Sequence, residues 1–118
     1  MNIQESNKLI AEFMGLRQGH PDPLETRWEN DWFEPDSGIR HTHLHYDEWN
    51  WLMPVVDKIH NTGVVTDICF GYDMGYFTIE AETEQETRIF EGHQNHGKPI
   101  DCVYKAVIEF IQWYNDHN

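Results

Sequence analysis

The stretch YFTIEAETEQETRIFE, residues 76–91, decides the fold because apolar and polar side chains alternate along its first part, 76–82. A period of two is typical of a β-strand with one buried and one wet face. A turn at 83–85 separates two strands within the stretch, and the β-branched residues of 64–70 predict a third strand. We therefore expect a three-stranded antiparallel sheet at about 64–91. The middle strand should face the core with Phe77, Ile79 and Ala81 and the solvent with Thr78, Glu80 and Glu82.

Three helices are predicted around this sheet, at about 2–14, 47–61 and 99–115. The last has the clearest pattern, because its apolar residues recur at helical spacing and Pro99 suits a first helical position. Asn2, with an acid three residues later, is the expected cap of the first helix. The class is therefore α+β, with helices packed on a sheet in a single domain that spans residues 1–118.

The middle helix has an uncertain start because Pro54 lies within its pattern. A proline in a helix interior removes a backbone hydrogen bond and costs about 3 kcal/mol. Either the regular helix begins near Met53, with Pro54 in its first turn, or it begins at Asp47 and kinks at Pro54. We favour the kink, because Asp47 is the good capping residue upstream.

Residues 15–44 are predicted to be an ordered but irregular acidic arm. Prolines and glycines interrupt the segment, and six acids face a single arginine, Arg27, between residues 22 and 36. Trp28 and Trp32 lie four residues apart, so a short helical turn would bring both to one side. Tryptophans in such a segment indicate packing rather than a free linker.

The overall charge restricts the kinds of molecule that we expect the protein to bind. Twenty-one acids and eight bases give a formal net charge of −13. This charge repels nucleic-acid phosphate and anionic membranes, so we expect neither to bind directly. It favours a protein partner with a basic surface, or it serves solubility alone. The oligomeric state is left open between monomer and homodimer.

The chain carries two cysteines, Cys69 and Cys102, each within an apolar run. Buried thiols in a reducing compartment are expected, and a disulfide between them stays an alternative. The first residues lack the basic and apolar regions of a secretion signal, and no apolar run approaches the length of a membrane span. These features predict a cytoplasmic protein.

Three segments resemble a family of small, functionally uncharacterised proteins that recur in bacterial and phage genomes. They read NKLIAEFMG at 7–15, WNWLMPVVDKI at 49–59 and YKAVIEFIQWYN at 104–115. The resemblance covers about a third of the chain and lies within the three predicted helices. It implies a phage or mobile-element setting, hence the cytoplasm of a host cell, and it implies no reaction.

The tryptophans of the middle helix have two interpretations. Trp49, Leu52 and Val56 follow helical spacing, which usually marks a core face rather than a binding groove. Trp51 lies about 70° from that stripe, at roughly 100° per residue. It is therefore a candidate for an aromatic pocket with Trp28 or Trp32.

Histidines supply the candidate metal ligands. His41, His43 and His45 alternate, so in an extended segment all three rings would project to one side, as zinc ligands require. Asp47 is a candidate third ligand beside a pair of them. A second pair, His93 and His96, lies in a glycine-rich loop. The competing interpretation is a solvated, histidine-rich loop.

Glu80, Glu82, Glu84 and Glu86 also alternate, although a turn near Thr83 would break their row. A solvated face is the ordinary explanation, and mimicry of nucleic-acid phosphates is the functional one. No GxSxG motif, glycine-rich phosphate loop or cysteine–histidine neighbour is found, which leans against an enzyme without deciding the matter.

The leading hypothesis is a non-enzymatic, acidic interaction protein of phage or mobile-element type. It would bind a host or phage protein, acting as an inhibitor or nucleic-acid mimic, and would need no cofactor. The alternative is a zinc-binding domain or small metalloenzyme that uses His41, His43 and His45. The predicted partner-binding residues are Trp28, Glu29, Asp31, Trp32, Glu34, Trp51, Glu80 and Glu82.

Overall fold

The computed structural model describes residues 2–19, 22, 24, 27–71, 75–93 and 98–117. Over these residues it contains three helices and two three-stranded antiparallel sheets, which confirms the predicted α+β class. The chain forms two compact units, Met1–His45 and Tyr46–Asn118.

The first unit begins with helix α1, Ile3–Phe13. The Asn2 side chain accepts a hydrogen bond from the Glu5 backbone N–H at 2.8 Å, which confirms Asn2 as the cap. At the other end, Gly15 adopts a φ of 86°, a left-handed conformation that favours glycine. Its N–H bonds to the Glu12 carbonyl and the N–H of Leu16 bonds to the Ala11 carbonyl, which completes a Schellman motif.

The predicted irregular arm contains a small sheet that sequence analysis missed. Its strands are β1 (Arg17–Gln18), β2 (Trp32–Phe33) and β3 (Arg40–His41), in the order β1-β2-β3. Both residues of the central strand are buried. The prediction that the arm is irregular is thus wrong for these strands, because backbone pairing orders them around two buried aromatic side chains. No strand of two residues can display a period-two pattern.

The second unit begins with helix α2, Trp49–His60. Its N-cap is Glu48, whose side chain makes no capping hydrogen bond, so the prediction that Asp47 is the capping residue is wrong by one position. The helix begins two residues after Asp47 and runs continuously through Pro54, which confirms the favoured start near Asp47 and contradicts a start near Met53. The kink at Pro54 stays a prediction. Pro54 is exposed, as is Asn50, whose carbonyl loses its helical partner to the proline. Water can satisfy that carbonyl.

The main sheet follows, in the order β4-β5-β6, and every pair is antiparallel. Its strands are β4 (Val65–Gly71), β5 (Tyr76–Glu82) and β6 (Thr87–His93), each within two residues of its predicted bounds. Register is uninterrupted between β5 and β6, whereas it shifts between Val65 and Asp67 of β4. The buried side chains of β5 are Phe77, Ile79 and Ala81, as predicted.

Helix α3, Pro99–Asp116, packs on β5 and β6 and completes the core of this unit. Lys98 is the N-cap of α3, and its backbone N–H donates at 3.0 Å to the carboxylate of Asp101, the third residue of the helix. The close approach of α3 to β6 depends on Gly92, since a Cβ there would lie 1.8 Å from the Cys102 carbonyl oxygen. The largest fully buried side chains of this unit are Leu52, Val55, Ile59, Ile79, Val103, Val107, Phe110 and Ile111.

The two cysteines differ in environment. Cys102 is buried and its thiol donates to the Pro99 carbonyl at 2.8 Å, in agreement with the predicted buried thiol. Cys69 is exposed, so that prediction is wrong for Cys69: its side chain leaves β4 on the solvent side of the sheet. Both thiols are free rather than joined in a disulfide.

Candidate functional site

The solvent-facing side of the main sheet forms a candidate binding surface, which we call the outer sheet face. Because Phe77, Ile79 and Ala81 are buried, the alternate residues of β5 point the opposite way. Residues directly opposite each other in a sheet share a face, so the register extends this surface to both neighbouring strands. Its members are Asp67, Cys69 and Gly71 of β4, Tyr76, Thr78, Glu80 and Glu82 of β5, and Thr87, Ile89, Glu91 and His93 of β6.

The outer sheet face is acidic. It carries the carboxylates of Asp67, Glu80, Glu82 and Glu91 and has no lysine or arginine among the members given above. Asp67 lies directly opposite Glu80, an arrangement of like charges that disfavours strand pairing. In the part of the chain that the structure describes, no base forms an ion pair with Asp67, Glu80 or Glu82. Their negative charge is therefore available to an external cation.

An exposed apolar residue lies within this acidic surface. Ile89 is directly opposite Glu80 and is 55% exposed. Glu91, the next residue of β6 on the same face, contacts the His93 ring at 3.2 Å. An apolar side chain with carboxylates beside it resembles the arrangement of protein interfaces, in which a desolvated contact is surrounded by polar groups.

One corner of the outer sheet face is built around a tyrosine and a glycine. The Tyr76 ring lies over Gly71, its cross-strand neighbour, so closely that a Cβ on the glycine would overlap the ring. The Tyr76 hydroxyl reaches the Cys69 sulfur at 3.6 Å. The hydrogen bond and the charge of Cys69, in that order, raise the pKa of the Tyr76 phenol above its usual value.

In the first unit, the structure separates the predicted partner-binding residues by burial. Trp32 is buried, with 6% of its surface exposed, so it belongs to the core of that unit rather than to a contact surface. Trp28 is half-buried, and the guanidinium groups of Arg27 and Arg40 each lie 4.7 Å from its ring centroid. Glu29 is exposed.

The two remaining acids of the predicted arm site have partners inside the unit. Asp31 approaches Arg40 at 3.6 Å, and Glu34 contacts the His41 ring at 2.7 Å. Both contacts follow from the pairing of β2 with β3, which brings residues from 32–33 opposite those from 40–41. Arg40 therefore partly balances the charge of Asp31, and the Glu34 carboxylate is already engaged by the His41 ring.

Trp51 of α2 is half-buried and packs against an aromatic neighbour. Its ring meets Tyr46 edge-on, with centroids 5.4 Å apart and an interplanar angle of 81°. Trp49, which sequence analysis assigned to the core stripe, is more exposed than predicted and contacts Phe70 at 5.8 Å. The predicted pocket of Trp51 with Trp28 or Trp32 stays a prediction.

The histidines of the predicted zinc site do not form a compact set. His41 is engaged with Glu34, whereas the rings of His43 and His45 contact each other edge-on at 6.2 Å. Within the described ranges, the three imidazoles do not bring donor atoms within 4.8 Å of one another. His93 lies on the outer sheet face, and His96 falls outside the described residues. Zinc binding stays a prediction.

Some members of the outer sheet face could not be found from sequence alone. Glu80 and Glu82 follow from the alternation of β5, and both were predicted. Asp67, Ile89 and Glu91 join them only through the register, which a single sequence pattern does not specify. The predicted row of four glutamates is indeed broken at the turn, since the Glu86 carboxylate instead accepts the Trp113 indole N–H at 2.9 Å.

Comparison of the chain with protein-family models, with curated proteins and with solved structures finds no match. Of the helices that the structure describes, none combines the length and the apolar character needed to cross a bilayer.

Proposed function

We propose that this chain is a non-enzymatic interaction protein that binds a partner protein with a basic surface. The outer sheet face is the contact surface in this proposal. The observation that carries it is the set of carboxylates on that face, of which Asp67, Glu80 and Glu82 have no ion-pair partner in the described parts of the chain. Such a surface attracts a basic partner and increases its rate of association.

The arm of the first unit has a smaller role than its composition indicates. Asp31 and Glu34 already contact Arg40 and His41, so a partner would have to compete with those contacts. Glu29 and the half-buried Trp28 remain candidates for secondary contacts. Trp51, which is half-buried and contacts Tyr46, is a third candidate.

The phage or mobile-element setting rests on the resemblance of three helical segments. In that setting the partner is a host or phage protein in the host cytoplasm, and the chain acts as an inhibitor or as a mimic of nucleic acid. A mimic occupies the same cationic cleft as a nucleic acid, so duplex DNA should displace it from its partner. An inhibitor that binds elsewhere on the partner should tolerate DNA.

A charge-matched pair of variants tests the contact surface. The first variant changes the outer sheet face by Glu80→Gln, Glu82→Gln and Glu91→Gln. The control removes the same number of negative charges from exposed helical positions by Glu12→Gln, Asp57→Asn and Asp116→Asn. Glutamine and asparagine keep the approximate shape of the side chains, so that charge is the main change.

Binding is measured with a partner captured from lysate on the immobilised wild-type chain and then purified. We expect the face variant to lose about tenfold or more in affinity, equivalent to about 1.4 kcal/mol, and the control to lose much less. The wild-type affinity should also fall as salt is raised, because exposed charges are screened beyond about 8 Å at physiological ionic strength. Equal losses in both variants would assign binding to net charge alone and reject the surface.

The zinc alternative is tested independently of any partner. A native mass spectrum of the untagged protein, purified without chelator, should show no added mass if the chain is a metal-free interaction protein. One zinc per chain, lost after His43→Ala, would favour the metal-binding alternative.

A further inference from the structure

We propose that the free edge of β6 is the docking line on this surface, and that a basic, extended segment of the partner adds to the main sheet as a fourth strand. This inference rests on the proposed function, because it identifies how the partner reaches the outer sheet face. Strand addition of this kind derives affinity from main-chain hydrogen bonds and specificity from alternate side chains.

The pairing pattern shows which backbone groups of β6 point away from β5. At the turn, the Thr83 N–H donates to the Glu86 carbonyl at 2.8 Å, so these residues form a hydrogen-bonded pair. Hydrogen-bonded and non-hydrogen-bonded pairs alternate along an antiparallel ladder. Residues 88, 90 and 92 therefore bond to β5, and the N–H and C=O groups that point to the free edge belong to Thr87, Ile89, Glu91 and His93.

The residues with free edge groups are also the β6 members of the outer sheet face. All four have exposed side chains. Over the described ranges, β6 pairs only with β5, and its residues have no further hydrogen bond or ion pair beyond those of Glu91 with His93. Main-chain bonding and carboxylate contact are thus available to the same incoming strand.

The opposite edge of the sheet is less suited to strand addition. The register of β4 shifts between Val65 and Asp67, and such irregularities are one means by which proteins block edge pairing. In contrast, β6 is seven residues long, keeps uninterrupted register and contains no proline. A long regular edge strand that is neither bulged nor interrupted is a template for another strand.

Charge selects the occupant of this edge. In an added antiparallel strand, residues opposite Ile89 and Glu91 would place their side chains on the outer sheet face. Lysine or arginine at these positions would lie beside Glu91 of β6 and near Glu80 of β5, the strand next to β6. A second copy of this chain is the less favourable occupant, because antiparallel pairing of two β6 edges would join two acidic faces into one surface.

The test uses a nine-residue peptide of alternating lysine and valine with blocked ends. Its lysines should lie on the outer sheet face, and the same residues should then direct their N–H and C=O groups toward β6. N-methylation of the lysine backbone nitrogens should therefore block docking. N-methylation of the valine nitrogens leaves the charge equal and removes donors that point away from β6, so that peptide is the matched control.

Binding is followed by backbone amide shifts and by hydrogen exchange of the isotope-labelled full chain. We expect slower exchange at Thr87, Ile89, Glu91 and His93 with the unmodified and valine-methylated peptides. The lysine-methylated peptide should bind about tenfold more weakly or not at all. Ile89→Pro should weaken docking similarly, since it removes one edge donor without removing a bond to β5.

The outcomes separate this inference from the proposed function. Equal binding of both methylated peptides would show attraction by charge without strand addition, which overturns the inference and leaves the proposed function standing. Failure of all three peptides to protect β6 also overturns it. A dimer of the chain with protected β6 amides, before any peptide is added, would assign the edge to a second copy. If Ile89→Pro does not fold, the peptide comparison still decides.

Discussion

Replacing Gly92 with alanine should separate helix α3 from β6. The Cβ of that alanine would lie 1.8 Å from the Cys102 carbonyl oxygen and 2.5 Å from its carbonyl carbon. Both are backbone atoms of a helix, so no side chain can rotate away to make room. The helix or the strand has to move, and each belongs to the core of the second unit.

The size of the effect follows from that distance. Ordinary van der Waals contact begins near 3.4 Å, so relief of the overlap needs a displacement of about 1.6 Å. Overpacking of a well-packed core typically costs about 1–3 kcal/mol and occasionally more. Because the contact is backbone to backbone, we expect a loss of about 3 kcal/mol or more in the free energy of unfolding. For a unit of this size, this lowers Tm by roughly 10 °C or more.

Gly63→Ala is the matched control, since it lies in the same unit and exchanges the same atoms. Gly63 has a φ of 90° with nothing within 4 Å of the added Cβ, so its cost is backbone strain alone, about 1–2 kcal/mol. Urea unfolding of the three proteins, followed by tryptophan fluorescence, gives the two differences. A Gly92→Ala variant that is no more destabilised than Gly63→Ala would refute the predicted clash between α3 and β6.

Three further predictions concern single side chains of the second unit. Cys69→Ala should lower the pKa of the Tyr76 phenol toward its usual value, because Cys69 is the main cause of its elevation. An NMR titration in which Tyr76 has the same pKa in the variant as in the wild type would contradict this. One thiol per chain should react with a disulfide reagent in the native state and two after unfolding, because Cys69 is exposed whereas burial denies access to Cys102 and raises the pKa of its thiol. Glu80→Gln should raise the free energy of unfolding by a few tenths of a kcal/mol, up to about 1 kcal/mol, because it removes the repulsion from Asp67. If the variant is instead less stable in the same urea assay, this repulsion is absent.

The main elements were predictable because their patterns repeat over many residues. Helix α3 extends through 18 residues with a regular apolar stripe, and β5 alternates through all seven of its positions. A single residue that breaks such a long pattern does not change which element the pattern predicts. Helix boundaries were less secure, as the Glu48 cap shows, because a helix can begin without a side-chain cap when its packing supports it.

Features fixed by pairing between distant residues could not be predicted. Trp32 appeared to be a surface anchor because the strand that buries it is two residues long. The contact of Glu34 with His41 joins an expected partner-binding acid to an expected zinc ligand. The sequence predicted a separate role for Glu34 and for His41, because the two residues come together only through the pairing of β2 with β3.

Net charge by itself does not distinguish a binding surface from a solubilising one, but the removal of one acid from an opposed pair does. Solubility requires only that the charge be dispersed over the surface. Asp67 and Glu80 instead lie directly opposite each other, with no base paired to either among the described residues, an arrangement that costs stability and that solubility does not require. A partner that supplies the missing positive charge would offset this cost, so Glu80→Gln should gain stability and lose partner affinity together. A gain in stability with unchanged affinity would instead identify the outer sheet face as a solubilising surface.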